Sequence, residues 1–187
     1  MELEGRQTAP AQQVARNIEI KARIESVEAL IPKAAALAGQ GPREILQDDT
    51  FFACKSGRLK LRAFSATEGQ LIFYRRPDQA GPKESFYVIS PTSSPDTLRE
   101  ALTLAYGQTG RVRKKRLLFL ADRTRIHLDI VENLGHFLEL EVVLREHEGS
   151  QAGVKIAHEL LDKLGISSSQ LIEEAYVDLL NACGCGE

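Results

Sequence analysis

At 187 residues, with 43% hydrophobic and 27% charged side chains, the chain suits one globular domain able to bury most of its apolar surface. Its formal net charge of -2 supplies no overall cationic field, which argues against general nucleic-acid binding while leaving room for a local basic cavity. No apolar run approaches the roughly 18 residues of a bilayer span, so no membrane partner is expected.

Residues 1 to about 13 are polar and aperiodic and are read as a disordered leader, and Met1 to Gly5 lack the basic start and apolar centre of a signal peptide. Strand signals follow at about 14–24, 45–53, 58–65, 70–76, 83–90, 111–120, 123–131 and 136–146. Helical patterns fall at about 26–38, 95–106, 150–164 and 168–181. Ser94-Pro95 offers a cap followed by proline at the first helical position, and Ser169 is placed to cap the last helix. The turns between strands are short, which favours antiparallel hairpins over parallel crossovers. The fold class expected is therefore α+β with a large antiparallel sheet. Cys54, Cys183 and Cys185 are an odd, poorly spaced set for disulfides, which suggests a reducing compartment and a cytoplasmic location. Residues 182–187 are read as a flexible tail rather than a metal site, because two thiols there have no nearby histidine.

The chemistry lies in the alternation of the strands. Asn17, Glu19, Lys21 and Arg23 alternate with Ile18, Ile20 and Ala22, so one face of the first strand is polar and the other apolar. The same parity gives Arg125, His127 and Asp129 near residue 127, and Glu139 and Glu141 in the last strand, while Lys60 and Arg62 share a face of the third. Each strand alone is consistent with polar residues that merely face water. If the sheet closes on itself, however, these faces converge on one interior. Mixed charges in such an interior need pairing or a ligand. Lys and Arg match the oxygens of a polyphosphate, and clustered carboxylates match Mg²⁺ or Mn²⁺.

Asn17-x-Glu19-x-Lys21 resembles the Glu-x-Glu-x-Lys signature of the CYTH, or triphosphate tunnel metalloenzyme, superfamily. The resemblance runs on through Asp49 to Phe52, Gly57 to Arg62, Leu71 to Pro77, Arg111 to Arg116, Thr124 to Asp129 and Leu134 to Glu141. It covers about 14–181, read as one CYTH-like domain, and is most similar to the class IV adenylyl cyclase, CyaB-like, branch. The resemblance implies a closed eight-stranded antiparallel β-barrel with helices packed outside, binding a triphosphate small molecule (ATP, tripolyphosphate or thiamine triphosphate) with Mg²⁺ or Mn²⁺. A homodimer is compatible with it. Superfamily membership spans cyclases and triphosphate hydrolases, so fold does not settle the reaction.

What the resemblance implies for the site is specific. Glu19, Glu139 and Glu141 are the expected metal ligands, with Asp129 and Glu139 as catalytic carboxylates. Lys21, Lys60, Arg62, Arg75, Lys114, Arg116 and Arg125 are the expected phosphate contacts. Periodicity cannot choose between Arg75 and Arg76; the family pattern of a basic residue two positions before a proline favours Arg75. It likewise turns Lys114 and Arg116 inward and leaves Lys115 exposed. His127 is open between substrate contact and structural histidine, and Lys83, Ser85 and Tyr87 share a face that could line the tunnel. Phe51 and Phe52 are expected to fill space between barrel and helix. Asn17 departs from the signature: its amide is neutral, so the site lacks one negative charge where a cation would sit. The expected function is a metal-dependent enzyme on nucleoside or other organic triphosphates, adenylyl-cyclase-like, with a triphosphatase or a non-catalytic polyphosphate binder as alternatives.

Overall fold

Polar and apolar residues alternate in nearly every strand, and a sheet with two such faces must bury one and shelter the other. The computed structural model, which describes residues 15–77 and 81–184, does so by curling the sheet into a closed ring. The elements in chain order are β1 (Ala15–Ile24), α1 (Val27–Leu37), β2 (Gln40–Phe52), β3 (Arg58–Ala63), β4 (Gly69–Arg75), β5 (Lys83–Thr92), α2 (Pro95–Tyr106), β6 (Gln108–Ala121), β7 (Thr124–Val131), β8 (Gly135–Val143), α3 (Ser150–Leu164) and α4 (Tyr176–Ala182). Around the ring the order is β1-β5-β4-β3-β2-β6-β7-β8, and β8 pairs back with β1. The pairings are antiparallel, so no edge is left among these strands. The leader expected over 1–13 lies outside the described residues, as does Cys185.

Register fixes which side chains share a surface, because directly opposed residues point the same way. Ile18, Ile20 and Ala22 oppose Val142, Leu140 and Leu138, and all six are almost fully buried on the outside of the ring. α1 and α3 cover them, adding Val27, Leu30, Ala34, Ala157, Leu161 and Leu164 to one apolar layer. Gly153 lets α3 lie directly on β1, since a Cβ there would come within 2.6 Å of Ile18. Leu161 and Leu164 precede Gly165, which ends α3 in the left-handed conformation at φ 76°. A second apolar cluster joins Val112, Val131 and Phe137 to Tyr176, Val177 and Leu180 of α4, at one end of the ring.

Two expected elements differ. β2 begins at Gln40, several residues early, because its exposed first half lacks alternation yet pairs with β6. The helix expected over 168–181 is broken: a short 3₁₀ turn at Ser168–Gln170 gives way to extended chain, and α4 starts only at Tyr176. Ile172 donates its backbone N–H to the Lys21 carbonyl and Leu171 bridges Ala22, so apolar residues that read as a helical face are extended chain against the end of β1. Ser169 therefore caps no helix; the Ala175 N–H at the start of α4 donates to the Asp178 carboxylate instead. Ser94 stands before α2 without a capping hydrogen bond, and Pro95 takes the first turn as expected.

Candidate functional site

The inner faces of the ring enclose a cavity of about 420 Å³. Glu19, Lys21, Lys60, Arg62, Lys114, Arg116, Arg125, His127, Glu139 and Glu141 all line it, so the polar faces read from the sequence meet in one space. Asn17, Ser85 and Tyr87 line it as well. Lys115 lies outside, exposed and paired with Glu44.

The basic side is built from two similar units. On β3, Lys60 and Arg62 are held by Asp49 of β2, whose carboxylate accepts from Lys60 Nζ at 2.8 Å and from Arg62 Nε and Nη2 at 2.7 Å each. On β6, Lys114 and Arg116 are held by Asp129 of β7, at 2.9 Å from Lys114 Nζ and 2.7 Å from each of two Arg116 nitrogens. Burial alone would raise both aspartates, but Arg62 and Lys60, and Arg116 and Lys114, outweigh it and hold both carboxyls well below the usual range. Burial lowers the Lys60 ammonium to about 8, with Arg62 beside it adding to the effect. Burial, then the neighbouring Arg116, lowers Lys114 too. The charge-assisted bonds fix each cation in one rotamer.

Asp129, expected as a catalytic carboxylate, is not suited to that role. It is wholly buried behind Lys114 and Arg116, outside the cavity lining, and accepts a fourth hydrogen bond from Tyr176 at 3.1 Å. A carboxylate so saturated positions its neighbours and makes a poor base.

The acidic side lies on β1 and β8. Glu19 opposes Glu141, and Lys21 opposes Glu139. Arg116 Nη2 donates to Glu139 at 2.6 Å and Arg125 Nε to Glu141 at 2.6 Å, whereas among the described residues Glu19 is paired more loosely, with Arg76 at 3.8 Å. Burial, then repulsion from Glu139 and Glu141, raises the Glu19 carboxyl to about 7. Glu139 stays well below the usual range: Arg116 and Lys21 overcome its burial. Burial lowers Lys21 to about 7; its Nζ donates to the Glu174 carbonyl and lies 4.1 Å from the centre of the Tyr176 ring.

The choice of Arg75 is corrected. Arg75 is exposed and stacks over Phe73 and Phe86, while Arg76 lines the cavity. The reason is the β3–β4 hairpin. Lys60 opposes Ile72 and Arg62 opposes Gln70, so once Lys60 and Arg62 point inward the even residues of β4 must follow, and Arg76, just past its end, keeps the same parity. Phe51 packs on α4, between barrel and helix as expected, and also lines the cavity. Lys83 is buried with Nζ donating to the Glu173 carbonyl and does not line the cavity wall. Sequence reading missed Asp49 and Tyr176. Asp49 had a signal in the odd parity of Gln47, Asp49 and Phe51; Tyr176, on a short terminal helix, had none.

The donor set suits a hard divalent cation. Three glutamates converge, and Asn17 Oδ1 is buried without a hydrogen-bond partner, as an oxygen aimed at a cation would be. His127, Glu139 and Glu141 can each bring one ligand atom within 4.8 Å of the others.

A CYTH domain family model matches residues 15–176. Adenylate cyclase CyaB from Aeromonas hydrophila is 25% identical over 170 residues, covering 85% of each chain. Among solved structures, the PH1012 protein from Pyrococcus horikoshii superposes with a TM-score of 0.77 at 22% identity, over 87% of this chain and 98% of its own. HpAC1 from Hippeastrum, described with a dominant triphosphatase activity, superposes with a TM-score of 0.61 at 15% identity, over 91% and 96%. At those identities the two structures share the fold. Among the described residues no helix is long and apolar enough to cross a membrane.

Proposed function

The chain belongs to the CYTH domain family, and from that premise we propose a metal-dependent enzyme acting on a nucleoside or other organic triphosphate, in the manner of an adenylyl cyclase that converts ATP to cyclic AMP and pyrophosphate. The observation that carries this reading is the pair of Lys-x-Arg units, each braced by a buried aspartate, in one closed cavity with three glutamates.

Lys60, Arg62, Lys114 and Arg116 bind the phosphate oxygens, and Arg76, Lys21 and Arg125 extend the cradle. Asp49 and Asp129 hold the first four in place before substrate arrives, so little reorganisation is needed as charge develops on the leaving pyrophosphate. The ribose 3′-oxygen attacks the α-phosphorus, the bond from that phosphorus to the bridging oxygen breaks, and the hydroxyl proton passes to a carboxylate of the acidic side. Glu139 and Glu19 both line the cavity there. A Mg²⁺ or Mn²⁺ ion bound by Glu19, Glu139 and Glu141 would neutralise charge on the phosphate oxygens.

A second reading, attack of water on the γ-phosphorus, uses the same cradle and accords with the triphosphatase activity described for HpAC1. Product analysis separates the two. With ATP, thiamine triphosphate or tripolyphosphate and Mg²⁺ or Mn²⁺, cyclic AMP plus pyrophosphate supports the cyclase and orthophosphate release supports the hydrolase. Tight tripolyphosphate binding with no turnover of any substrate would refute an enzyme and leave a binding protein.

A further inference from the structure

Position 17 puts a neutral amide where the acidic side could have carried another carboxylate, and an imidazole stands on β7, one strand beyond β8. His127 opposes Glu139 across the β7–β8 pairing and is 3% exposed. Its Nδ1 is buried and has no hydrogen-bond partner among the described residues. That nitrogen lies 3.8 Å from Glu141 Oε1 and 4.0 Å from Glu139 Oε2. Both separations are too long for a hydrogen bond. They exceed the spacing of two adjacent ligands on one octahedral ion, about 3.0 Å for bonds of about 2.1 Å, by an amount that side-chain rotation onto a cation would close.

The Glu141 carboxylate is turned to suit. Arg125 takes Oε2 of Glu141, and Oε1 is the oxygen that faces His127. At Glu139 the oxygen nearest His127, Oε2, is also the one that accepts from Arg116. A purely structural histidine at such burial would place both ring nitrogens on protein partners, because an orphaned polar atom carries the full cost of its lost hydration.

We propose that His127 is a metal ligand, its Nδ1 joining Glu139 and Glu141 in a set of one nitrogen and two carboxylates, and that the resident cation is a transition-metal dication such as Mn²⁺ rather than Mg²⁺. This rests on the metal-dependent reading above and deepens it by choosing the ion. Mg²⁺ takes oxygen ligands and gives up its waters reluctantly, whereas first-row transition dications accept an imidazole nitrogen, and Mn²⁺ is the one among them that shares the preference of Mg²⁺ for carboxylates, here two to one histidine. The nitrogen donor also fills the coordination that the neutral Asn17 supplies only weakly. Glu19, on the far side of Glu141, then stands at the margin of this set rather than at its centre.

The test is electron spin-echo modulation on the full chain carrying one equivalent of Mn²⁺. The expected result is a directly bound nitrogen-14 signal in the wild type that is absent from His127→Gln, whose thermal melting confirms folding. In calorimetry His127→Gln should weaken Mn²⁺ binding by at least the roughly tenfold that losing even an outer partner of a ligand costs. Mg²⁺ binding should change by less than about twofold on the same argument. Bound Mn²⁺ with no nitrogen signal in the wild type overturns the assignment whatever the variant does, and leaves the proposed enzyme standing. A nitrogen signal that survives in a folded His127→Gln overturns it as well. If Mn²⁺ does not bind the wild type, with or without tripolyphosphate, the metal-dependent reading itself fails.

Discussion

Replacing Asp129 with Asn removes a negative charge and leaves the shape nearly unchanged, so it isolates what that charge does. The wild-type carboxylate is wholly buried and accepts from Lys114, twice from Arg116, and from Tyr176. Removing one partner of a buried ion pair costs about 3–5 kcal/mol, because the other charge is left uncompensated. Glu139 still pairs with Arg116, which argues for the lower end, about 3 kcal/mol on the same scale. For a chain of this size each kcal/mol moves the melting temperature by about 2–4 °C, so the variant should melt roughly 6–12 °C lower in calorimetry at neutral pH. Tripolyphosphate should recover more in the variant than in the wild type, since the anion replaces the missing counter-charge of Lys114 and Arg116. The pH dependence has a definite sign. Arg116 and Lys114 hold Asp129 below its unfolded pKa despite burial, so its contribution is present above that unfolded value and fades as pH falls toward the folded one. The gap between the two proteins should therefore narrow below about pH 4. A melting difference under about 2 °C at neutral pH, or equal rescue of both proteins by tripolyphosphate, would refute the assignment of Asp129 as the brace of the β6 pair.

Arg76→Ala should weaken tripolyphosphate binding by about tenfold or more, the loss of one charge-assisted contact, while Arg75→Ala leaves it unchanged; calorimetry showing the reverse would return Arg75 to the cavity. Glu19→Gln tests the repulsion in the acidic side. Stability from the raised Glu19 carboxyl is fully present below its ordinary value of 4.5 and is lost as pH rises through about 7. In chelator the Gln variant should thus gain on the wild type between about pH 5 and 8, and a pH-independent melting difference would contradict this. Gly110→Ala would bring a Cβ within 2.5 Å of Val177 Cγ2 on α4. Such overpacking costs about 1–3 kcal/mol, and hydrogen exchange should speed up in residues 176–182 more than in β1, an outcome that unchanged α4 protection would exclude.

The alternation of charged and apolar residues was enough to divide β1, β7 and β8 into an inner and an outer face, because a period of two leaves only two choices per strand. It could not say which choice held where both parities carry a basic residue. Arg75 and Arg76 are such a case, and only pairing decides it, through the opposition of Lys60 and Ile72. The break before α4 was hidden for a different reason. Leu171 and Ile172 are apolar in any conformation, and what makes them extended is a tertiary bond from Ile172 N–H to the Lys21 carbonyl. The pairing of carboxylates with cations was equally hidden. Asp129 reads as an inward acid at the level of the strand, but its saturation depends on Lys114 and Arg116 across β6 and on Tyr176 from the far end of the chain.

The net charge argued against general nucleic-acid binding and left room for a local basic cavity, and the fold explains how both hold. A net charge of -2 describes the whole surface, whereas a closed ring sorts charge by strand face. Among the described residues the cavity lining carries seven Lys and Arg against four Asp and Glu, so the interior has the opposite sign to the chain as a whole. Unpaired cations at such burial would be prohibitively costly, and the aspartates reduce that cost without cancelling the excess. Asp49 is shared by Lys60 and Arg62, and Asp129 by Lys114 and Arg116, so each carboxylate neutralises one of the two cations it orders. The remaining positive charge is fixed in place, desolvated and enclosed. Only an anion able to enter the cavity can meet it at full strength, since charges on the exterior are screened by water and salt. Under the proposed function, the same arrangement that makes the interior electrostatically expensive would favour a linear polyphosphate over larger or less charged ligands.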